Sequence, residues 1–286
     1  MVYAARIISG TLGMLVALCG LPCRAGELQE DPPLYEDLLL KEMDQDRKKP
    51  KPDFPFDDLD IEDDVPFGEQ GAQLDLSKPV VAEWEAFLDD TPTLSVGSPN
   101  RGKLRHGRKL PKEGVGYVRK NDKAAFGTNE TVAIMIWLAA RMHALYPGTV
   151  PMVVGDISAE GGRKLRPHAS HQSGRDVDLG YYVNDNQYLR RFKNVSRDTM
   201  DSEKTWTLIE LMLSTHKVQY LFIDRRLHKP LYNEALSRGW SEEELKELFE
   251  APMGNRHRHG IIRHQKGHVH HLHVRFYCPA SDEDCK

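Results

Sequence analysis

Apolar residues recur at helical spacing in three stretches of the chain. The first follows Thr128 or Asn129, either of which suits a helix N-cap, and the second begins at Ser202. The third, Ser241–Phe249, begins with a capping box formed by Ser241 and the glutamate three residues later. The predicted apolar faces are Val132, Met135, Ile136, Ala139 and Met142 in the first helix, and Trp206, Ile209 and Leu213 in the second.

Between and after these helices, shorter patterns predict β-strands. Residues Val150–Val154 and Val218–Ile223 are apolar runs of strand length. His268–Phe276 alternates strictly, which places His271 and His273 on one face with Arg275. Helices and strands are mixed without a regular βαβ repeat. We therefore predict an α+β fold, with a small central antiparallel sheet flanked by helices.

The N-terminal part of the chain has a different composition. Residues 1–25 carry Arg6, an apolar stretch and a possible cleavage point after Ala25, as secretory signal peptides do. Cys19 and Cys23 lack the small preceding residue that lipidation would require, so a lipoprotein anchor is the less favoured alternative. Residues 26–79 are predicted to be a largely disordered acidic leader, because Glu27 to Asp75 holds 17 acidic, five basic and six proline residues. The remaining residues, 80–286, form the predicted globular domain.

Charge and hydropathy narrow the functional class. The chain has a formal net charge of -4, but residues 76–286 alone carry +6, which suits an anionic cell-envelope polymer. No apolar run in the body of the chain is long enough to cross a membrane. Nucleic acid is not favoured as a partner, because no aromatic stacking motif accompanies the basic residues between Arg256 and Arg263. Cys278 and Cys285, the only cysteines after the signal peptide, can pair in an oxidising compartment or remain free thiols.

The thirteen histidines include two clusters that carry the candidate chemistry. One contains His168 and His171, followed by Asp178 beyond a flexible glycine, and the other lies within Gly267–Arg275. Two histidines and one aspartate from these clusters can hold zinc in three positions and leave a fourth open, as in catalytic zinc sites, and the extra histidine would then serve as proton acceptor. The alternative is a histidine-rich tract with loose metal affinity. The remaining histidines are predicted to be surface or core residues (His106, His143, His216, His228) or part of a basic loop (His257, His259, His264).

Several motifs in order give the chain a family resemblance. Residues 95–279 resemble the penicillin-insensitive murein endopeptidases, of the lysostaphin, D-alanyl-D-alanine metallopeptidase and hedgehog fold group. The motifs that carry it are Gly97-Ser98-Pro99-Asn100-Arg101-Gly102, Gly155-Asp156-Ile157-Ser158, His168-Ala169-Ser170-His171-Gln172 with Gly174 and Asp178, and His268-x-x-His271-x-His273-Val274-Arg275. The sequence departs from the family where Asp178 leads into Leu179-Gly180-Tyr181-Tyr182 instead of a Trp-containing strand, and in having His270 before His271.

The resemblance implies roles for the clustered residues. Zinc would be held by His171, Asp178 and His273, with His271 as the catalytic base. His168 and His268 would orient the substrate or stabilise the transition state. Independently of the resemblance, Asp156 and Asp176 are candidates for fixing imidazole orientation, and ordinary turn aspartates are the alternative.

The resulting functional hypothesis is an exported zinc-dependent endopeptidase, periplasmic or secreted. It would hydrolyse the D-alanyl to diamino-acid cross-links of peptidoglycan. One alternative is a zinc D,D-carboxypeptidase or stem-peptide peptidase of the same group. Another is a non-hydrolytic zinc-containing protein that binds the cell wall, although the retained His271 argues against lost catalysis.

Overall fold

The computed structural model describes residues 84–187, 190–250 and 260–286. The predicted signal peptide and acidic leader, together with His257 and His259, lie outside these residues. The described residues form four helices, namely α1 (Asn129–Leu145), α2 (Ser202–Ser214), α3 (Arg225–Ser237) and α4 (Glu242–Leu248). They also form eleven strands: β1 (Leu94–Ser98), β2 (Arg101–Arg105), β3 (Arg108–Lys109), β4 (Glu113–Gly114), β5 (Tyr117–Arg119), β6 (Phe126–Gly127), β7 (Met152–Val154), β8 (Asp176–Gly180), β9 (Val218–Ile223), β10 (Ile262–His264) and β11 (His271–Phe276).

Seven of the strands form one mixed sheet in the order β10-β9-β11-β8-β7-β5-β4. The α+β prediction is confirmed, but the sheet is larger than predicted and not purely antiparallel. Two pairs are parallel, β5 with β7 and β10 with β9. Helix α1 connects the first pair and helices α3 and α4 connect the second, as parallel neighbours require a crossover connection. The shorter pairs β1-β2 and β3-β6 form two separate ribbons.

The three predicted helices are confirmed with their caps. The Thr128 side chain accepts a hydrogen bond from the N–H of Thr131, and Asp201 does the same at the start of α2. Ser241 and Glu244 form the predicted capping box of α4. Helix α3 was not predicted, because Pro230 in its interior is normally a signal against helix. None of the described helices has both the length and the hydropathy to span a bilayer.

The pairing of β8 with β11 separates an apolar face from a polar one. Leu272 lies opposite Leu179 and Val274 opposite Val177, and all four side chains are fully buried in the core. Because side chains alternate along a strand, the intervening residues share the other face. There His273 lies opposite Asp178, and Arg275 lies opposite Asp176. The core face therefore fixes the register that brings the ionisable residues of two strands together.

The C-terminal segment is closed by a disulfide between Cys278 and Cys285, so the predicted pairing is confirmed. Next to it, the buried carboxylate of Asp282 accepts a 2.7 Å hydrogen bond from the N–H of Ser95. The buried guanidinium of Arg175 donates to the carbonyl oxygens of Phe276 and Lys286. These contacts hold the segment against β1 and the start of β8.

Candidate metal centre

Three ligand-type atoms form a nearly equilateral triangle on the polar face of the sheet. The Nε2 atom of His171 lies 3.2 Å from Asp178 Oδ1 and 3.2 Å from His273 Nδ1, and the third side, His273 Nδ1 to Asp178 Oδ1, is 3.1 Å. All three residues are buried. Ligand atoms around a tetrahedral zinc ion lie about 3.3 Å apart, because each bond is about 2.0–2.1 Å long. The triangle therefore has the size that a zinc ion requires.

The outer ring nitrogens of His171 and His273 are held by hydrogen bonds that turn the inner nitrogens toward each other and toward Asp178. The Nδ1 atom of His171 lies 2.9 Å from the carbonyl oxygen of Ile157, which can only accept, so this nitrogen carries the proton. The Nε2 atom of His273 lies 3.1 Å from the carboxylate of Asp176. Each ring is thus oriented as in metal sites, where ligand histidines donate their other N–H to a carbonyl or carboxylate.

Asp178 Oδ1 is the carboxylate vertex of the triangle. It is buried and has no aligned hydrogen-bond donor among the described residues, although it lies at one vertex of the triangle. Burial opposes its charge, yet His171 and His273 outweigh burial and hold the pKa of Asp178 well below its usual range. An ionised, buried oxygen without a donor fits a cation ligand, because such an atom is costly to leave unsatisfied. The residues present therefore fit a zinc ion.

Asp176 supports the site from behind. Its carboxylate accepts hydrogen bonds from the backbone N–H of His171 at 2.9 Å and from Arg275 Nε at 2.7 Å, in addition to the contact with His273. The backbone of His171 has a φ of +63°, a region that side-chain-bearing residues rarely adopt, and the bond to Asp176 helps to hold it there. Burial disfavours the charged forms of Asp176 and His273. Even so, His273 and Arg275 lower the pKa of Asp176, and the carboxylates of Asp176 and Asp178 raise the pKa of His273 to about 9.

Substitution Asp176→Asn tests this support. The amide keeps the size of the side chain but loses the charge that pairs with Arg275 and orients His273. We expect zinc affinity to fall about 10- to 100-fold, as for other partners of metal-binding histidines. The loss of these charge-assisted bonds should also lower the free energy of unfolding by about 3 kcal/mol. Competition with a zinc indicator and thermal unfolding measure the two effects. Wild-type zinc affinity in the folded variant would contradict the assignment.

His168 occupies a neighbouring position. Its Nε2 atom lies 2.8 Å from Asp156 Oδ2, and its Nδ1 atom lies 3.9 Å from Asp178 Oδ2. The hydrogen bond to Asp156 raises the pKa of His168, although burial opposes this. His168, His171 and Asp178 also form a group that could hold a metal ion. The set with His273 is tighter, because the three atoms of that triangle are separated by no more than 3.2 Å.

His271 faces the same carboxylate from the next same-face position of β11. Its Nε2 atom lies 3.6 Å from Asp178 Oδ1, and its Nδ1 atom contacts Nδ1 of His270. Burial lowers the pKa of His271 to about 3 and that of His268 to about 4, so both rings are neutral. The ring of His268 packs against that of His271, with centroids 4.7 Å apart. The cluster thus contains two neutral imidazoles beside the triangle.

A phenyl ring from another part of the chain covers the outer side of His271. The Phe192 ring stacks on His271 with centroids 5.0 Å apart and an interplanar angle of 18°. Two glycines make room for it, since a methyl group on Gly155 would overlap the ring and one on Gly180 would lie 3.3 Å from it. The Lys120 ammonium lies 4.7 Å from the ring centroid. Phe192 therefore restricts the orientation of His271 and shields it from water.

The structure brings all six predicted site residues together, namely His168, His171, Asp178, His268, His271 and His273. The predicted orienting contacts of Asp156 and Asp176 with histidine rings are confirmed. Phe192 and the Ile157 carbonyl were not predicted as parts of the site, since neither lies in a histidine motif, although Ile157 belongs to the Gly155–Ser158 motif. The last strand was predicted to span His268–Phe276, but it begins at His271. His268 and Val269 therefore lie in the segment before the strand.

Comparison with known proteins identifies the family of the chain. A family model described as penicillin-insensitive murein endopeptidase matches residues 95–286. The chain is 28% identical over 223 residues to the penicillin-insensitive murein endopeptidase of Haemophilus influenzae, covering 69% of this chain and 68% of the relative. It is 26% identical over 208 residues to that of Yersinia pestis, covering 67% and 68%. It is 26% identical over 222 residues to that of Escherichia coli O9:H4, covering 71% and 74%.

Proposed function

The chain belongs to the penicillin-insensitive murein endopeptidase family, and on that premise we propose that it is a zinc-dependent peptidase that hydrolyses the peptide cross-links of peptidoglycan. The bond cleaved would be the amide between a D-alanyl residue and a diamino acid. The single observation that carries the proposal is the triangle of His171, Asp178 and His273, with sides of 3.1–3.2 Å, beside the neutral ring of His271.

His171, Asp178 and His273 would hold the zinc ion. A bound zinc ion would supply a Lewis acid, which polarises a carbonyl oxygen and makes water acidic enough to attack near neutral pH. Asp176 and the Ile157 carbonyl would keep the two imidazoles in the tautomers that present a lone pair to the ion.

His271 would act as the proton carrier. Its neutral Nε2 faces the carboxylate of Asp178, so a water molecule at the centre is within its reach. We propose that it takes a proton from this water and passes it to the leaving amine, the exchange that general acid–base catalysis requires. Phe192 and His270 would hold the ring in place during the transfer.

His168 and His268 would act on the substrate. The hydrogen bond to Asp156 favours a protonated His168, which would place positive charge beside the scissile carbonyl. His268 is neutral, so one ring nitrogen can donate a hydrogen bond and the other can accept one. A positioned donor to a developing oxyanion contributes about 3 kcal/mol to transition-state stabilisation.

The proposal extends to the whole chain. Residues 1–25 would direct export, residues 26–79 would be an acidic leader, and residues 80–286 would be the peptidase domain acting in the cell envelope. The pairing of Cys278 with Cys285 supports an oxidising compartment.

The proposal is tested with purified cross-linked muropeptide dimers and zinc-loaded protein, with the products identified by mass spectrometry. We expect each dimer to give two monomeric stem peptides, and a chelator to abolish the reaction. Zinc added back should restore it. Removal of only a terminal alanine would instead identify a carboxypeptidase. Intact dimers in the presence of stoichiometric zinc would favour a binding protein.

A further inference from the structure

A strip of aromatic and cationic side chains extends the polar face of the sheet away from the metal centre. In the strand register, Phe222 of β9 lies opposite His273 on one side and opposite Arg263 of β10 on the other. The Phe222 and His273 rings meet edge to face, with centroids 5.3 Å apart, and Tyr220 is 5.9 Å from Phe222. Phe222, Tyr220 and Arg263 are all half-buried. The strip therefore borders the site and remains accessible to a ligand.

Arg263 ends this strip in a fixed orientation. Its guanidinium lies over the Tyr220 ring, 3.7 Å from the centroid, and its Nε donates a 2.8 Å hydrogen bond to the Gly260 carbonyl. Among the described residues, no carboxylate forms an ion pair with Arg263, whereas Arg275 on the same face is paired with Asp176 at 2.7 Å. Within residues 84–187, 190–250 and 260–286, the two terminal nitrogens of Arg263 have no hydrogen-bond partner, so this part of the structure leaves them to an external ligand.

We propose that Arg263 binds a free carboxylate of the peptide substrate, an inference that rests on the proposed peptidase function. A guanidinium fork matches a carboxylate with two parallel hydrogen bonds, and stacking on an aromatic ring holds the fork in place. The guanidinium already covers one face of the Tyr220 ring, so that face is not open to a stacking sugar.

The position of Arg263 limits where the carboxylate lies in the substrate. Arg263 is two strands away from His273, a separation of about 10 Å at about 4.8 Å per strand. An extended peptide covers this distance in about three residues, and one residue with a long side chain covers it as well. The carboxylate thus belongs to the same cross-linked peptide as the scissile amide and not to a distant part of the polymer.

Two synthetic cross-linked peptide dimers test the proposal, one with free carboxylates near the cross-link and one with those carboxylates converted to carboxamides. We expect the wild-type protein to cleave the free acid with the higher kcat/KM. Arg263→Gln should lower kcat/KM for the free acid about 10- to 100-fold and leave the amide unchanged. Arg263→Lys should retain part of the preference, since it keeps the charge without the fork. Arg197→Gln, at an exposed arginine, is the matched control and should leave kcat/KM unchanged for both substrates.

Binding is measured separately in the zinc-loaded His271→Ala protein by calorimetry with both dimers. A preference for the free acid that disappears on adding Arg263→Gln supports the carboxylate site. If the wild-type protein, assayed in parallel, hydrolyses neither dimer, only the proposed peptidase function has failed. Equal affinity of the wild-type site for acid and amide would overturn the inference. If Arg263→Gln lowered the affinity for both dimers equally, the inference would also be overturned, because the arginine would then have only a structural role.

Discussion

Replacing either His171 or Asp178 by alanine is expected to remove bound zinc and abolish hydrolysis. Each contributes one vertex of the triangle, and each is shared by the tight set with His273 and by the alternative set with His168. Partners that only orient a ligand histidine change affinity about 10- to 100-fold, so loss of a ligand itself should cost more than about 100-fold in zinc affinity. When the zinc concentration is near the dissociation constant of the wild-type protein for zinc, peptidase activity should also fall more than about 100-fold.

Metal analysis of dialysed protein measures this result directly. His216→Ala and Asp198→Ala are the matched controls, since both remove the same side-chain types from exposed positions. Circular dichroism confirms that the ligand variants are folded. Wild-type zinc content in both His171→Ala and Asp178→Ala would rule out this triangle as the metal site. Comparing His273→Ala with His168→Ala then identifies the third ligand, and we expect only the former to lose the ion.

His271→Ala is expected to give the opposite combination, full zinc content with almost no hydrolysis. The ring of His271 faces Asp178 from 3.6 Å, outside the triangle of three shorter separations. Removing a general base costs about 10²- to 10⁴-fold in rate, and the loss should appear in kcat with little change in KM.

The same metal analysis and steady-state kinetics on the muropeptide dimer check the prediction. Wild-type kcat in a zinc-loaded His271→Ala protein would mean that another group acts as the base, and His268, whose ring centroid lies 4.7 Å from that of His271, is the first candidate. Loss of zinc in this variant would instead make His271 a ligand. The three ligand variants and this one are therefore distinguished by metal content and not by activity alone.

Local sequence patterns predicted the elements and chemical groups of the site well. The helix caps at Thr128 and Ser241 and the alternation in the last strand depend on neighbours within a few residues. The same is true of His271 and His273, whose shared face follows from strand periodicity. The pattern also suggested that the two histidine clusters form one metal site, although they are about a hundred residues apart. The resemblance to a known family then assigned His171, Asp178 and His273 as the ligands and His271 as the base.

The remaining features depend on contacts that no local pattern encodes. The strand order places β11 between β9 and β8, and this alone brings Phe222 to His273. Two parallel pairs appear because helices connect those strands, and one of these helices, α3, contains a proline. Phe192 reaches His271 through a loop, with no periodic pattern to mark it. The size of the sheet and the surroundings of the site therefore had to come from the structure.

Because Phe192 packs between Gly155 and Gly180, these three positions should change together in evolution. A side chain at either glycine would meet the phenyl ring, and a smaller residue at 192 would leave a gap beside His271. Substitutions at these positions should therefore be strongly non-additive: Gly155→Ala, whose methyl group would overlap the phenyl ring, should be harmful alone and partly tolerated with Phe192→Leu. By the same argument, relatives with a large residue at the position of Gly180, two residues after Asp178, should lack an aromatic residue at the position of Phe192.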